Sequence, residues 1–384
     1  MKNFKRSFGL IMLVLMIMGS ASLFAKPVKL SIIDVAGNLQ LTQAAINAFK
    51  DAHPELVSEI ETIKAGAPEL PAKLKAQEDA KNVTTTMILT GYDGIASCTE
   101  LDLIEKIMPQ FKASFPDLEK NYLDGAKKAY DIGKGFGIPI VFCPGGPMYT
   151  YNPEFVKNPP KTPADLLAFA KANPGKFLYA RPANSGPGRT FLQGLPYILG
   201  DKDPKNPKTW DKTWAFLKDL DQYIDYYPSG TGITFKELGE GTRWMIASHL
   251  GWDMNQRILG TIPPDFQGGF FDKMTWLTDA QYMIIPKGLS DDQKKASIAL
   301  IQWMLKPDMQ AITFDNGYFY PGPAVKNVTI DMAPADSKTK VKAAMRDQYD
   351  KQIKNTPTTT QLESKTLVEA FDMWDKLVGA KIKK

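Results

Sequence analysis

Strands and helices alternate along the first part of the chain, and this alternation restricts the fold more than any other feature. Residues 28–33 and 85–89 have the apolar and β-branched composition of strands, and residues 56–63 alternate apolar with polar side chains. Between them, residues 41–49 and 70–80 show helical patterns. This order predicts a mainly parallel sheet with helices on both faces, and ligands bound beyond the carboxyl ends of its strands.

A second α/β pattern follows a segment rich in Gly and Pro. Residues 133–147 combine these residues with an apolar stretch, which suits an extended crossing between two lobes. Thr162 is then predicted to cap a helix over residues 163–171, and another cluster of Gly and Pro spans residues 317–323. Since 384 residues exceed what one hydrophobic core usually serves, we predict two lobes with a ligand cleft between them.

Each lobe is predicted to be a mainly parallel sheet flanked by helices and to be built from two stretches of chain. The first lobe comprises residues 26–140 and 280–318, and the second comprises residues 145–275 and 324–384. Three hinge crossings are expected to join the lobes: residues 141–144, 276–279 and 319–323.

The amino terminus has the pattern of an export signal. Basic residues precede an apolar run over residues 8–18, and small residues follow up to Ala25. This run is too short to serve as a stable membrane anchor. The pattern predicts a cleaved signal peptide over residues 1–25, and therefore a secreted protein that works in the periplasm. No cysteine lies near the cleavage site, so a lipid anchor is not expected.

The cysteine, histidine and charge content argues against several classes of protein. Cys98 and Cys143 are the only cysteines, and an oxidising compartment permits either a disulfide or two separate buried thiols. With only two histidines besides these, neither a metal site nor a cofactor is predicted. The net charge of +5 is spread over 47 basic and 42 acidic residues, so nucleic acid is not an expected partner.

The sequence lacks the motifs of common hydrolases. It contains no Gly-x-Ser-x-Gly elbow, no zinc-binding pair of histidines and no phosphate-binding loop of the Walker type. We therefore expect a binding protein and not an enzyme. A secreted hydrolase or transferase that uses carboxylates of the cleft is the alternative, because a sequence does not reveal which carboxylates lie close together.

The Gly-rich loop over residues 181–190 is the first candidate for ligand binding. Its glycines, Gly186 among them, permit close approach of the backbone, and the N–H groups at the start of the next helix favour an anion. Arg189 adds a forked donor and Ser185 adds a hydroxyl. The loop therefore predicts recognition of an anionic group, and the alternative is a tight turn with a solvated arginine.

Aromatic rings next to carboxylates follow predicted strands in both lobes. Tyr92 and Asp93 are predicted to lie on a loop over residues 91–94 after a strand of the first lobe, and Trp252 and Asp253 on a loop over residues 251–253 after a strand of the second. Rings stack on planar or cationic ligands, and carboxylates neutralise ammonium groups. The alternatives are that Asp93 caps a helix and that Trp252 packs between the lobes. The remaining candidates follow the first strand or flank the crossings: Asp34, Asn38, Tyr149 and Tyr320.

These two groups of candidates favour different ligands. The Gly-rich loop favours an anionic group, whereas the rings and carboxylates favour a cationic or aromatic one. A zwitterion, or a cation that carries phosphate, would satisfy both groups, and the sequence leaves this choice open.

The order of several short segments adds a family resemblance. The segments are residues 135–139, 148–155, 159–167, 284–288 and 307–310. In this order they resemble the extracellular solute-binding proteins of ABC importers, in the type II group nearest to binders of iron, thiamine, phosphonate and polyamines. The resemblance covers nearly the whole chain after the signal. It implies two α/β lobes that close on a small-molecule ligand, and a monomer that delivers this ligand to a membrane permease.

Overall fold

The computed structural model describes residues 26–35, 37–66 and 69–380. The predicted signal peptide, residues 1–25, therefore lies outside the described residues. Within the described ranges, none of the helices is both long and apolar enough to cross a membrane.

Short strands and helices alternate along the chain and are named here in chain order. The strands are β1 (Val28–Val35), β2 (Val57–Ala65), β3 (Met87–Thr90), β4 (Ile138–Gly146), β5 (Met148–Tyr151), β6 (Phe177–Leu178), β7 (Met245–Ser248), β8 (Gln267–Gly269), β9 (Trp276–Ile284), β10 (Gly322–Pro323) and β11 (Thr358–Thr359). The α-helices are α1 (Leu39–Ala52), α2 (Leu70–Asp79), α3 (Tyr92–Glu100), α4 (Ile107–Gln110), α5 (Leu118–Asn121), α6 (Asp124–Ile132), α7 (Pro163–Ala172), α8 (Gly186–Leu199), α9 (Asp211–Asp221), α10 (Thr231–Gly239), α11 (Leu250–Ile258), α12 (Asp291–Met304), α13 (Pro307–Ile312), α14 (Ala335–Ala344), α15 (Asp347–Asn355) and α16 (Ser364–Leu377).

The first sheet has the strand order β10-β4-β9-β3-β1-β2, and β11 pairs with β9. β1 runs parallel to β2 and β3, so the predicted strand–helix alternation is confirmed. β9 runs antiparallel to both β3 and β4, because it enters this sheet from the second lobe. Fully buried side chains such as Ile32, Ile88 and Ile284 form the core around the sheet.

The second sheet has the order β6-β7-β5-β8, and the predicted strand direction is wrong there. β5 runs antiparallel to β7 and to β8, whereas β6 and β7 are parallel. The reason is that β5 starts where the chain enters the lobe and β7 ends there, so Met148 pairs with Ser248. The two-lobed α/β fold is confirmed, but neither sheet is parallel throughout.

The three predicted hinge crossings lie side by side in the first sheet. Cys143 on β4 pairs with Asp279 on β9, and Phe142 pairs with Gly322 on β10. The chain also returns at β11, which pairs with the start of β9 and which the sequence did not predict. Adjacent crossings can bend together, which suits a hinge, and the crossing and lobe bounds remain predictions.

One segment contacts the lobe opposite to the one predicted for it. Residues 324–326 fall within the predicted second lobe. However, the Leu123 N–H donates to the carbonyl of Ala324 at 2.9 Å, and the Lys326 N–H donates to the carbonyl of Asn121 at 2.7 Å. These hydrogen bonds hold the segment against the first lobe.

Local chemistry determines where several helices begin. Thr162 and Asp165 form a capping box at the start of α7, so the predicted cap is confirmed. The sequence predicted loops at residues 92–94 and 251–253, but these residues form the first turns of α3 and α11. Each helix begins directly after the strand that precedes it, which leaves no room for a loop.

Cys98 and Cys143 are both buried free thiols. Of the two alternatives that the sequence left open, the structure therefore favours separate thiols. Burial raises the pKa of Cys98 to about 12, so this thiol is protonated and unreactive at neutral pH.

Gly251 permits close packing between α11 and the segment that follows α13. A Cβ at this position would lie 2.8 Å from the Cα of Phe319 and would also collide with the carbonyl of Tyr318. We expect Gly251→Ala to lower the free energy of unfolding by about 1–3 kcal/mol, measured by chemical denaturation. Gly232→Ala is the control, because a Cβ in this first turn of α10 meets nothing within 4 Å. Equal losses in both variants would contradict the packing argument.

Candidate functional site in the cleft between the lobes

A cavity of about 400 Å³ lies between the two sheets and is lined from both lobes. Part of its lining lies just beyond the carboxyl ends of parallel strands, where α/β sheets bind ligands. The lining residues come from the first lobe, from the second lobe and from the crossings: Val35, Gly66, Asp93, Ala183, Asn184, Ser185, Gly186, Arg189, Thr231, Trp252, Asp279, Gln281, Tyr318 and Phe319.

The Gly-rich loop forms the start of α8, which begins at Gly186 and therefore inside the predicted loop over residues 181–190. The Ser185 hydroxyl accepts a hydrogen bond from the Gly188 N–H at 3.1 Å and lies 2.7 Å from the Thr231 hydroxyl. A Cβ on Gly188 would run into the carbonyl of Ala180, so this glycine serves packing within the lobe. Gly186 lines the cavity, as the sequence predicted.

Arg189 and Asp93 form an ion pair across the cleft. Arg189 lies on α8 in the second lobe and is only 8% exposed, and its Nη1 is 3.3 Å from Asp93 Oδ2 on α3 of the first lobe. Among the described residues, neither Arg189 Nε nor Asp93 Oδ1 has a hydrogen-bond partner, although both atoms are buried. The pair therefore leaves one buried donor and one buried acceptor unsatisfied among the described residues, on side chains of opposite lobes.

A second charged pair lies at the base of the cavity. Asp279 lines the cavity, and its Oδ2 is 3.4 Å from Nε2 of the fully buried His249. The other ring nitrogen of His249 lies 3.6 Å from Cys143 Sγ. Asp279 Oδ1 accepts hydrogen bonds from the Ala280 N–H at 3.0 Å and from Gln361 Nε2 at 3.2 Å.

Burial and neighbouring charges act in opposite directions on this pair. Burial disfavours the charged imidazolium, but Cys143 and Asp279 outweigh it and raise the pKa of His249 to about 10. Burial also disfavours the Asp279 carboxylate, yet its bond to His249 and the charge of Arg189 hold the pKa of Asp279 below its usual value. At neutral pH the pair is therefore an imidazolium and a carboxylate.

Cys143, His249 and Asp279 stand in the order of a nucleophile, a base and an orienting acid. This order is the one that activates a catalytic thiol. However, Cys143 is fully buried and does not line the cavity, so a solute in the cleft does not reach its sulfur. Within the described part of the chain, no group of three or more His, Cys, Asp or Glu side chains could hold a metal ion.

The structure brings together five of the predicted site residues at the cavity: Asp93, Ser185, Gly186, Arg189 and Trp252. Two others lie directly behind the lining. Asn38 Nδ2 donates to Oε1 of the lining residue Gln281, and the Asp34 carboxylate accepts the N–H of Asn38 at 2.7 Å at the start of α1. Asp34 therefore supports Asn38, and Asn38 orients Gln281.

The structure excludes four predicted residues from the lining. Asp253 is fully buried, bonds to Thr150 at 2.8 Å and pairs with Arg257 at 3.0 Å. The hydroxyls of the other three, Tyr92, Tyr149 and Tyr320, bond respectively to Ser364, to the carbonyl of Pro160 and to Asp350. Their polar groups are thus bonded to other parts of the protein and do not line the cavity, so their assignment to the ligand is corrected.

Trp252 forms an aromatic wall of the cavity. Its ring stacks on Phe235 with centroids 5.8 Å apart. It also makes a T-shaped contact with Tyr318, with centroids 5.3 Å apart and an angle of 73° between the ring planes. Phe319, next in the chain, also lines the cavity. Trp252 thus both packs within the protein and presents apolar surface to a ligand, which combines the two alternatives from the sequence.

Sequence reasoning missed the polar residues of β9. Asp279 and Gln281 alternate within a strand whose other residues are mostly apolar, and every residue of the strand is buried. Polar side chains at alternate positions of a buried strand need a partner, so this spacing was the available signal. Residues 276–279 were predicted only as a crossing, and Asp279 was therefore missed.

Comparison with protein families identifies the chain. A family model for bacterial extracellular solute-binding proteins matches residues 44–345. The chain belongs to this family. The solute-binding assignment confirms the predicted resemblance, and membership of an extracellular family means that the protein works outside the cytoplasm. No curated protein sequence matches the chain.

Solved structures share the fold of this solute-binding protein at low sequence identity. An ABC transporter structure from Clostridium perfringens has a TM-score of 0.67 and 12% identity, over 92% of this chain and 100% of that one. A spermidine/putrescine substrate-binding protein from Streptococcus pneumoniae has a TM-score of 0.61 and 16% identity, over 91% and 98%. A periplasmic binding protein from Actinobacillus pleuropneumoniae with bound fructose-6-phosphate has a TM-score of 0.63 and 14% identity, over 91% and 98%.

The His249–Asp279 pair predicts a specific dependence of stability on pH. The pKa of His249 is raised from 6.5 to about 10 on folding, so its contribution is complete below pH 6.5 and is lost as the pH rises towards 10. Over this window the free energy of unfolding should fall by up to about 1.4 kcal/mol per pH unit through this group.

The measurement is urea denaturation of the wild type and of His249→Gln at several pH values between 6.5 and 10. We expect the variant to be the less stable protein at pH 7 and the difference to shrink as the pH rises. His53→Gln, at the exposed histidine, should keep the wild-type slope. A constant difference between wild type and His249→Gln would contradict the argument.

Proposed function

We propose that this protein is the solute-binding component of an ABC importer, which captures one small polar or charged solute and delivers it to a membrane permease. The observation that carries the proposal is a cavity lined by both lobes, with the Arg189–Asp93 pair across it. A solute in this cavity contacts both lobes at once. The proposal includes a periplasmic monomer that is exported with cleavage of residues 1–25.

Closure of the lobes follows from the position of the crossings. A solute that contacts both lobes stabilises the closed state by its differential affinity for that state. Because the crossing strands β4, β9 and β10 are neighbours in one sheet, bending at the crossings would turn one lobe against the other about a single axis. The permease would then recognise the closed, solute-bound form of the protein in preference to the open form.

The start of α8 provides the proposed subsite for an anionic group of the solute. Gly186 begins the helix, Pro187 has no N–H, and the Gly188 N–H already donates to Ser185, so the Gly186 N–H is the backbone donor that this turn can offer. Arg189 lines the same cavity, and its buried Nε is a second donor without a partner among the described residues. Asp279 stands beside this subsite, but His249 balances its charge.

Catalysis is not part of the proposal. The carboxylates that line the cavity, Asp93 and Asp279, are each paired with a cation, and the Cys143 thiol is buried below it. A hydrolase would need a carboxylate or thiol in contact with the solute and a water beside it. Proteins of this family bind solutes, which agrees with a transport role.

Release and rebinding of the natural solute test the proposed function. We expect protein purified from its native periplasm to release a small molecule on denaturation, which mass spectrometry identifies. Added back to refolded protein, that molecule should raise the Tm and reduce the radius of gyration in small-angle scattering, because binding closes the lobes. An unchanged radius at saturation would contradict lobe closure.

Arg189→Ala should weaken binding of the released solute by about 1.5–3 kcal/mol, the scale of a charge-assisted hydrogen bond. Calorimetry measures this, since a tenfold loss of affinity corresponds to about 1.4 kcal/mol. Arg181→Ala is the matched control, because Arg181 pairs with Asp375 at 3.0 Å and does not line the cavity. Normal binding by Arg189→Ala would contradict the anion subsite.

A further inference from the structure

The charges around the cavity form two opposite pairs, and this balance restricts the net charge of a solute. Arg189 pairs with Asp93, and His249 pairs with Asp279. Each of the three charged side chains that line the cavity, Arg189, Asp93 and Asp279, is therefore already in contact with a side chain that can balance its charge. A solute with a single charge would leave one charge without a partner in a buried site, which is strongly unfavourable. A solute with no net charge leaves the balance intact.

The Arg189–Asp93 pair leaves one polar atom of each side chain without a hydrogen-bond partner among the described residues. Its contact joins Nη1 to Oδ2 at 3.3 Å, whereas Nε and Oδ1 are buried without partners among the described residues. One open atom is a donor on a cation, and the other is an acceptor on an anion. Both side chains line the cavity and touch each other, so a solute that displaces their contact meets a donor and an acceptor on neighbouring side chains.

We infer that the solute of this cleft is a small zwitterion whose cationic and anionic groups lie close together, as in an α-amino acid. Its carboxylate would accept from Arg189 Nε, and its ammonium group would donate to Asp93 Oδ1. Both bonds would be charge-assisted, which makes them stronger than bonds to a neutral hydroxyl. The inference rests on the proposed function and specifies its ligand.

The rest of the cavity suits such a molecule. Trp252, Phe319 and Val35 supply apolar surface for a side chain, and a volume of about 400 Å³ accommodates a compact solute. The zwitterion would bridge the lobes, since its two groups bind side chains of opposite lobes. Binding would thus favour closure through the same two bonds that select the solute.

A panel of solutes with matched skeletons tests the inference. The probes are the twenty protein amino acids and 2-aminopentanoate as zwitterions, pentanoate as the matched anion, pentylamine as the matched cation, and glucose and maltose as neutral solutes. Protein is unfolded, dialysed and refolded to remove any bound solute, and Tm is measured with each probe. We expect at least one zwitterion to raise the Tm, and its affinity to exceed that of pentanoate and pentylamine at least tenfold by calorimetry.

Variants of the pair connect the result to these side chains. Asp93→Asn and Arg189→Gln should each lower the affinity for the best zwitterion at least tenfold. The matched controls are Arg181→Gln and Asp375→Asn, which change an ion pair outside the cavity and should bind normally. Circular dichroism checks that each variant is folded, and the panel on the wild-type protein does not depend on any variant.

Two outcomes overturn the inference: a tightest solute that carries a net charge or no charge, and a panel in which no zwitterion raises the Tm. If a sugar or a single ion binds instead, the proposed function stands and the zwitterion assignment falls. If neither the panel nor a periplasmic extract stabilises the protein, the proposed function itself falls.

Discussion

The antiparallel pairing of β4 with β9 determines where the rest of the cleft lies. Its register sets Cys143 opposite Asp279 and Val141 opposite Gln281. Because side chains alternate along a strand, Asp279 and Gln281 share one face of β9, and that face is the base of the cavity. A shift of one residue in this register would turn both polar side chains away from the cavity and into an apolar layer. The site therefore depends on a backbone pairing before it depends on any single side chain.

The two charged pairs have different structural roles. His249 and Asp279 are both buried and are joined near the crossings, so their pairing supports the base of the site. Arg189 and Asp93 belong to opposite lobes and would separate in the proposed opening of the cleft. Water regained on opening offsets most of the attraction lost, since desolvation of a buried ion pair costs about as much as the pairing returns. The interlobe pair therefore contributes little net free energy to closure, and most of the stabilisation of the closed state comes from the solute.

The sequence predicted what depends on local patterns. The β1–β3 alternation, the Thr162 cap and the importance of residues 185–189 all arise from short-range spacing and helix-start chemistry, and the structure confirms the first two and brings the third to the cavity. The predictions that were wrong concern features that depend on contacts between distant segments. Asp253 is held by Tyr349, and β5 runs antiparallel because the chain enters the lobe at that point. Asp279 was missed for the same reason, since its partner His249 comes from another element.

The base of the cavity is assembled from segments that lie far apart in the chain. Cys143 meets His249, His249 meets Asp279, and Asp279 is held by Gln361, which follows β11. Contacts of such long sequence separation form slowly, because much chain entropy is lost before they become favourable. A chain made from its amino terminus lacks a complete site until residue 361 has been synthesised. The complete base of the cavity therefore forms only near the end of the chain's own production.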